Sequence, residues 1–396
     1  MEIPNLIDLV IVAATLIGLA NGFRRGFWLS MTQYVGLLAG VLLGAVAAQP
    51  VLDYIHVTSP VARPLGAVLI LIIGGSLGSS IGYAVGEPIR KGILRAGLHS
   101  ATDSLGGAAF SAVAVLMVMW FLGLSFSRGP SQDVAQLIQR SVVLHQIDSI
   151  VPGRPAFLAR VGDILAGVQF PAVFAGLEPR LPASLPIPAA ASVNTPGVNN
   201  AAEAVFKVTS LGCGGLVSGS GFAIAGGYVV TNAHVVSGTH AHHLQTAGGD
   251  ELAATVVYFD PARDFALLSV PGLTSSGLGF APASRGTKGA VIGYPGGGRE
   301  RIEPAVIDGA VQALGRDIYS NNPVTRQVYV IQGKVRPGNS GGPLVDLQGK
   351  VLGIVFATSA SDPNQAYALT DDEINSDLSD VRGRHTIDTS RFACAA

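Results

Sequence analysis

Charge is scarce in this sequence. Asp, Glu, Lys and Arg make up 13% of its 396 residues, against about a quarter in ordinary globular domains. The apolar share is 48% and the mean hydropathy is +0.45. A soluble core cannot absorb that much apolar side chain, so part of the chain is expected in a lipid bilayer. The net charge of −1 provides no basic field, which excludes nucleic acid as a partner class. Cysteine is nearly absent: Cys213 and Cys394 are the two present. They cannot form a disulfide scaffold or a metal site, but they permit one bridge outside the cytoplasm. Such a bridge would close a loop of about 180 residues, an entropic stabilisation of up to about 5 kcal/mol. No Cys or Glu stands near His240, His242 and His243, so these read as solvated loop histidines. No metal and no cofactor are expected.

What the chain has instead is four apolar stretches, Leu6–Gly22, Leu29–Ala48, Val61–Val85 and Leu105–Phe126. Each is near the ~20 residues needed to cross hydrocarbon. Arg24 and Arg25 follow the first, and Arg90, Lys91 and Arg95 follow the third, while Asp53, His56 and Arg63 lie around the second loop. Basic short loops mark the cytoplasmic side. Both fall there if the amino terminus and everything after Phe126 are extracytoplasmic. The leading Glu2 and Asp8 disfavour a cleaved signal peptide. Gly36, Gly40 and Gly44, and again Gly74, Gly78 and Gly82, recur at the spacing that lets helix backbones approach closely in lipid. Few ionisable groups interrupt the spans, which argues for a packed anchor and against a transport path.

From Ser127 to about Asn200 the character changes. Gln132–Val143 and Phe157–Val168 have helical periodicity. Pro171 to Pro196 is rich in Pro and Ala and reads as an extended, semi-rigid spacer, a candidate for cleavage by the protein itself.

Beyond Ala204, short β-type runs alternate with Gly, Pro, Asn and Asp, the pattern of a sandwich or barrel. They are Ala204–Thr209, Phe222–Ala225, Tyr228–Asn232, Ala254–Phe259, Phe265–Val270, Gly289–Ile292, Ala305–Ala313, Val328–Gln332 and Val351–Ala357. Three sites on this pattern carry chemistry. Tyr228-Val-Val-Thr-Asn-Ala-His234 delivers a histidine at a strand end, where a general base is held rigidly and still reaches solvent. Asp264 immediately precedes the apolar run Phe265–Val270, so its carboxylate can be buried where an imidazole needs an acceptor. Asp260, followed by proline, reads as a turn former. Gly338-Asn339-Ser340-Gly341-Gly342-Pro343 turns sharply around a serine. Its amides can converge into an oxyanion hole, and Gly341 and Gly342 leave room for substrate main chain.

These three motifs, in the order His, Asp, Ser, resemble the trypsin-like serine proteases, particularly the bacterial HtrA/Deg branch. The resemblance implies a chymotrypsin-like double β-barrel with His234, Asp264 and Ser340 as triad and residues Gly338, Asn339 and Ser340 forming the oxyanion hole. Cys213 is then expected just before the first barrel. It departs after Ser340, where that branch carries a PDZ domain. The last strand and helix fit as well, with Thr370 and Glu373 at capping-box spacing. The first 126 residues resemble the four-helix colicin V production domain. The combination resembles actinobacterial membrane-bound serine proteases of acid and envelope-stress resistance.

The expected architecture is therefore an all-α transmembrane domain (1–126), a connector (127–200) and an all-β protease domain (201–396). The expected function is a membrane-anchored periplasmic serine endopeptidase, its partners the lipid bilayer and envelope proteins or peptides. Two other readings remain: a trypsin-fold binding module that does not cleave, and a protease accessory to a transporter. The pocket for the residue preceding the scissile bond is expected near Gln332–Val335 and Phe356–Ser359.

Overall fold

The computed structural model describes residues 5–55, 62–95, 100–126, 132–150, 173–174, 176–178, 184–359, 361–378 and 385–395. The chain divides into two compact units, Met1–Val168 and Gln169–Ala396. The expected helix Phe157–Val168 lies outside the described residues, as do His56 and much of the proline-rich run.

The first unit contains α1 (Leu6–Arg25), α2 (Phe27–Tyr54), α3 (Ala62–Arg95), α4 (Ser100–Phe126), α5 (Gln132–Gln139) and α6 (Val142–Ile150). The first four are each long and apolar enough to cross a membrane. Helices α2 and α3 meet through their glycines. A Cβ on Gly40 would stand 2.0 Å from the Gly74 carbonyl oxygen, and one on Gly78 would stand 2.1 Å from that of Gly36. No side chain fits between backbones that close, so the four-residue glycine register is a packing requirement. Two buried acids of this unit, Asp8 and Asp103, are joints. Asp103 accepts from the Phe27 amide at 2.9 Å and from Arg90 Nε at 2.7 Å, tying α2, α3 and α4. Asp8 accepts from the amides of Val142 and Val143 at the start of α6, where a helix presents unpaired N–H groups.

The second unit opens with two short helices, α7 (Ala190–Val193) and α8 (Pro196–Ala202). Two closed six-stranded antiparallel barrels follow. The first is built from β1 (Val205–Gly212), β2 (Gly215–Ile224), β3 (Tyr228–Thr231), β4 (Thr239–Gln245), β5 (Glu251–Asp260) and β6 (Phe265–Ser269), with the short helix α9 (Ala233–Val236) after β3. The second contains β7 (Lys288–Gly293), β8 (Arg301–Arg316), β9 (Pro323–Gly333), β10 (Pro343–Asp346), β11 (Val351–Thr358) and β12 (Gln365–Thr370), and α10 (Asp371–Leu378) closes it. Strand neighbours run β1-β2-β3-β6-β5-β4 and β10-β11-β12-β9-β8-β7.

Many strands are apolar on both faces because both faces are buried. In β6, Ala266 and Leu268 fill the first barrel, while Phe265 and Leu267 join a layer that Ile292, Val330, Ile354 and Phe356 supply from the second. Edges vanish by closure, which spares twelve strands an exposed ladder.

Three expectations change here. The connector is not a free spacer throughout: Val173, Phe174, Leu177, Val193 and Val198 are buried, and Phe174 packs edge-on against Tyr367. Proline forbids helix and ladder but not burial, and the apolar side chains between the prolines have a core to enter. Cys213 is not ahead of the first barrel but at its β1–β2 hairpin tip, with φ +52° followed by Gly214 at +80°. It is bonded to Cys394.

His242 is the third. It lies on β4 rather than in a loop, and it is buried. Thr389 Oγ1 donates to the Thr239 carbonyl, so it accepts from His242 Nε2 at 3.1 Å, and Nδ1 takes the Ser210 hydroxyl at 2.8 Å. That network holds a neutral imidazole between β4 and the C-terminal segment. Burial, with His240 and His243 nearby, pushes its pKa down to about 4. The capping box of α10 is half formed: the Glu373 amide reaches Thr370 Oγ1 at 3.4 Å, but its carboxylate turns to the Gln327 amide at 2.7 Å.

Two outcomes follow from this packing. Gly40→Val or Gly78→Val in the full chain should separate α2 from α3, read as a lower melting temperature in detergent; an unchanged melting curve would refute the close contact. For His242, the unfolded chain takes up the proton first as pH falls from about 6.5 to about 4. Stability is therefore lost across that window, by on the order of 3 kcal/mol. His242→Asn should flatten the pH dependence of the melting temperature between those limits.

Candidate active site

Asp264 sits in the hairpin loop between β5 and β6. Asp260 shapes that loop, its Oδ1 accepting from the amides of Ala262 at 2.7 Å and Arg263 at 3.1 Å, as its Asp-Pro sequence implied. The loop ends with Asp264 at φ +60°, a left-handed conformation that aspartate tolerates better than most residues. Its side chain is wholly buried.

Both carboxylate oxygens of Asp264 are met by one residue. Oδ1 accepts from the His234 amide at 2.9 Å, and Oδ2 pairs with His234 Nδ1 at 2.7 Å. Asn232 fixes the loop from the other side, its Nδ2 donating to the Asp264 carbonyl at 2.8 Å. His234 itself lies in α9, directly after β3, so the strand carries it as expected. With Nδ1 given to the carboxylate, Nε2 is the ring nitrogen left to face outward.

Ser340 comes from the second barrel. Its carbonyl accepts from the Ser220 amide at 2.8 Å on β2, and the following residue presses on β3: a Cβ on Gly341 would stand 2.2 Å from the Ser220 carbonyl and 2.4 Å from Thr231 Oγ1. This places the serine loop against the residues that lead into His234. Among the described residues no hydrogen bond joins His234 to the Ser340 hydroxyl. The structure also corrects the expected use of the glycines. Gly341 and Gly342 have their Cβ space taken by Ser220, Thr231 and Ile292 of the protein itself, so they serve close packing of the loop and not passage of substrate.

Ahead of the serine, Arg336-Pro337-Gly338-Asn339 forms a turn closed by Asn339 N–H to the Arg336 carbonyl at 3.0 Å. Proline second and glycine third, with Gly338 at φ +98°, is the type II pattern. The Asn339 side chain braces it from inside, Oδ1 accepting the Arg336 amide at 3.1 Å. Since its own amide is committed to Arg336, Asn339 supports the turn instead of offering a donor to a ligand.

Two residues not singled out from sequence complete the support. Ser220 donates to the Gly338 carbonyl at 2.7 Å and accepts from the Tyr294 amide at 2.9 Å, pinning the turn to β7. Arg326 of β9 reaches the Asp264 loop, donating from Nε to the Ala262 carbonyl at 2.8 Å. The Gly-Ser-Gly repeat around Ser220 was a visible signal; a lone arginine in a strand was not.

The sequence matches the trypsin-like peptidase domain family over residues 219–354 and the colicin V production protein family over residues 7–152. Serine protease Rv3671c of Mycobacterium tuberculosis is 35% identical over 402 aligned residues, spanning 98% of each chain. The chain belongs to the trypsin-like serine protease family of Rv3671c. The crystal structure of the active form of Rv3671c protease from M. tuberculosis aligns with a TM-score of 0.52 and 40% identity, over 56% of this chain and all of that one. A probable periplasmic serine endoprotease, DegP-like, of Bartonella henselae is 36% identical over 159 residues, 38% of this chain and 30% of that protein. The protein is thus a serine protease whose chain also carries four helices of membrane-spanning character.

Proposed function

We propose that this protease is an extracytoplasmic endopeptidase tethered to the cell membrane, with Ser340 as nucleophile, His234 as general base and Asp264 as its orienting carboxylate. The observation that carries the reading is the double engagement of Asp264 by the His234 amide and Nδ1. It fixes the imidazole tautomer and leaves Nε2 to take the serine proton. The Ser340 oxygen attacks the scissile carbonyl while its proton passes to Nε2, and the same proton then goes to the departing amine. Water repeats the sequence on the acyl-enzyme and restores the serine. The amides of Gly338 and Ser340 stabilise the oxyanion, the first presented by the type II turn. The missing bond between His234 and Ser340 is consistent with catalytic contacts that tighten on substrate binding.

The remaining assignments belong to the same proposal. The arginines at the C-terminal ends of α1 and α3 favour a cytoplasmic side for those ends, hence an outward protease. Substrates are envelope or stress-related proteins, which a catalytic unit held outside the membrane would meet, and the connector is a site of self-cleavage. Residues 1–126 form the membrane domain, 127–200 the connector and 201–396 the protease. The connector residues packed into the second unit support a cut ahead of Val173 rather than within the packed segment.

Fluorophosphonate labelling of the full chain in detergent tests the triad. Ser340 should be modified in the parent, and Ser340→Ala and His234→Ala should abolish labelling; an unlabelled parent across pH would mark a site that does not cleave. Gly338→Ala should lower kcat by about 100-fold, the effect of losing one oxyanion donor. A Cβ there would stand 2.4 Å from the Tyr294 carbonyl oxygen in a conformation that disfavours it. Parental kcat in that variant would remove the turn from the mechanism.

A further inference from the structure

Arg326 is one of the largest wholly buried side chains in the protein, 1% exposed. A guanidinium taken out of water is costly unless its donors are met. Here they are met unevenly. Nε donates to the Ala262 carbonyl at 2.8 Å and Nη2 to the Arg316 carbonyl at 2.7 Å, while Nη1 has no hydrogen-bond partner among the described residues. Its Cζ lies 5.9 Å from the centre of the Phe356 ring on β11.

A merely structural residue at this position would be better served by an apolar side chain, since replacing buried ions with hydrocarbon is often neutral or stabilising. The place explains the charge. Ala262 lies two residues before Asp264 in the four-residue loop joining β5 to β6, and the preceding carbonyl, Pro261, is taken by the Ile318 amide at 3.1 Å. The loop that presents the carboxylate is therefore clasped by the second barrel at two successive carbonyls. The rest of the environment is acidic. Asp264, Asp260, Asp317 and Glu373 all attract the guanidinium. Arg263 is already engaged by Glu373 at 3.3 Å and Asp260 at 3.9 Å.

Resting on the triad reading above, we infer that Arg326 is a positioning residue for catalysis: from the second barrel it clamps the loop that carries Asp264 and places a fixed positive charge behind the Asp264–His234 pair. The clamp holds Asp264 in the left-handed conformation in which both its oxygens reach His234. The charge offsets part of the negative potential that Asp264, Asp260, Asp317 and Glu373 set up around the pair. Removing it leaves those carboxylates uncompensated, which favours positive charge at the site and should move the acidic limb of the rate profile toward neutral pH. Lysine keeps the charge but cannot span the Ala262 and Arg316 carbonyls with a planar fork.

The test compares the full chain in detergent with Arg326→Gln and Arg326→Lys. Its readouts are active-site labelling, steady-state peptide hydrolysis, and the pH profile of kcat/KM from pH 4 to 9. Arg326→Gln should lose about tenfold or more in kcat with KM within twofold, and its acidic limb should move toward neutral pH. Arg326→Lys should recover the parental limb while retaining part of the kcat loss. Parental kcat and an unmoved limb in a folded Arg326→Gln variant would overturn the inference. If that variant does not fold, Arg326→Lys decides by kcat alone, a parental value overturning the clamp. A parent that fails to label at Ser340 would instead defeat the triad reading, so the two failures are distinct.

Discussion

A carboxylate removed from water must be met by donors, and the catalytic half of this molecule is arranged around that requirement at Asp264. Nothing of its side chain is exposed. Its acceptors are taken by the amide and ring of one histidine, and its own carbonyl by Asn232. Satisfying it needs β3 to end at Thr231, α9 to begin at Ala233 and the β5–β6 loop to close in a left-handed residue. Those conditions are met together only if the first barrel closes with β3 beside β6, the neighbour relation the topology shows. The second barrel then completes the arrangement by holding the loop from behind and bringing the serine turn in front.

The same steric principle organises two places that share no chemistry. In the first unit, glycines on α2 and α3 let two backbones meet where a methyl group would collide with a carbonyl oxygen. In the second, Gly341 and Gly342 let the serine loop press on β2, β3 and β7. Close approach strengthens dispersion contacts and fixes position without requiring polar partners. For the anchor this yields a packed helix pair in a solvent that offers no hydrophobic drive for helix association. For the site it yields a serine loop packed closely against the strand that leads into His234.

The C-terminal segment shows how a small polar network can couple distant parts of a fold to conditions outside it. Cys394 is bonded to the β1–β2 hairpin, and Thr389 bridges the Thr239 carbonyl and the His242 ring. One attachment is covalent and indifferent to pH; the other packs around a buried imidazole whose charged form burial disfavours. Stability on the acid side therefore depends on His242, a residue only eight places beyond His234 yet outside the proposed triad.

Periodicity and composition alone determined the four apolar helices and the barrel-type segment after Ala204, while the motifs around His234, Asp264 and Ser340 marked those three residues as candidates. Each of these rests on local chemistry: helix length against bilayer thickness, strand length against turn residues, and a serine framed by glycine. Tertiary structure decided the rest. A histidine-rich stretch became β4 because barrel closure needed a strand there, and His242 was buried by a tail nearly 150 residues away. The connector's apolar residues entered a core that no local pattern announces. Gly341 proved to serve packing, and Asn339 to brace a turn. Arg326 acquired its role by burial beside a loop from the other barrel. Each of these depends on contacts between segments far apart in the chain, and local sequence carries no record of which distant surface a side chain will meet.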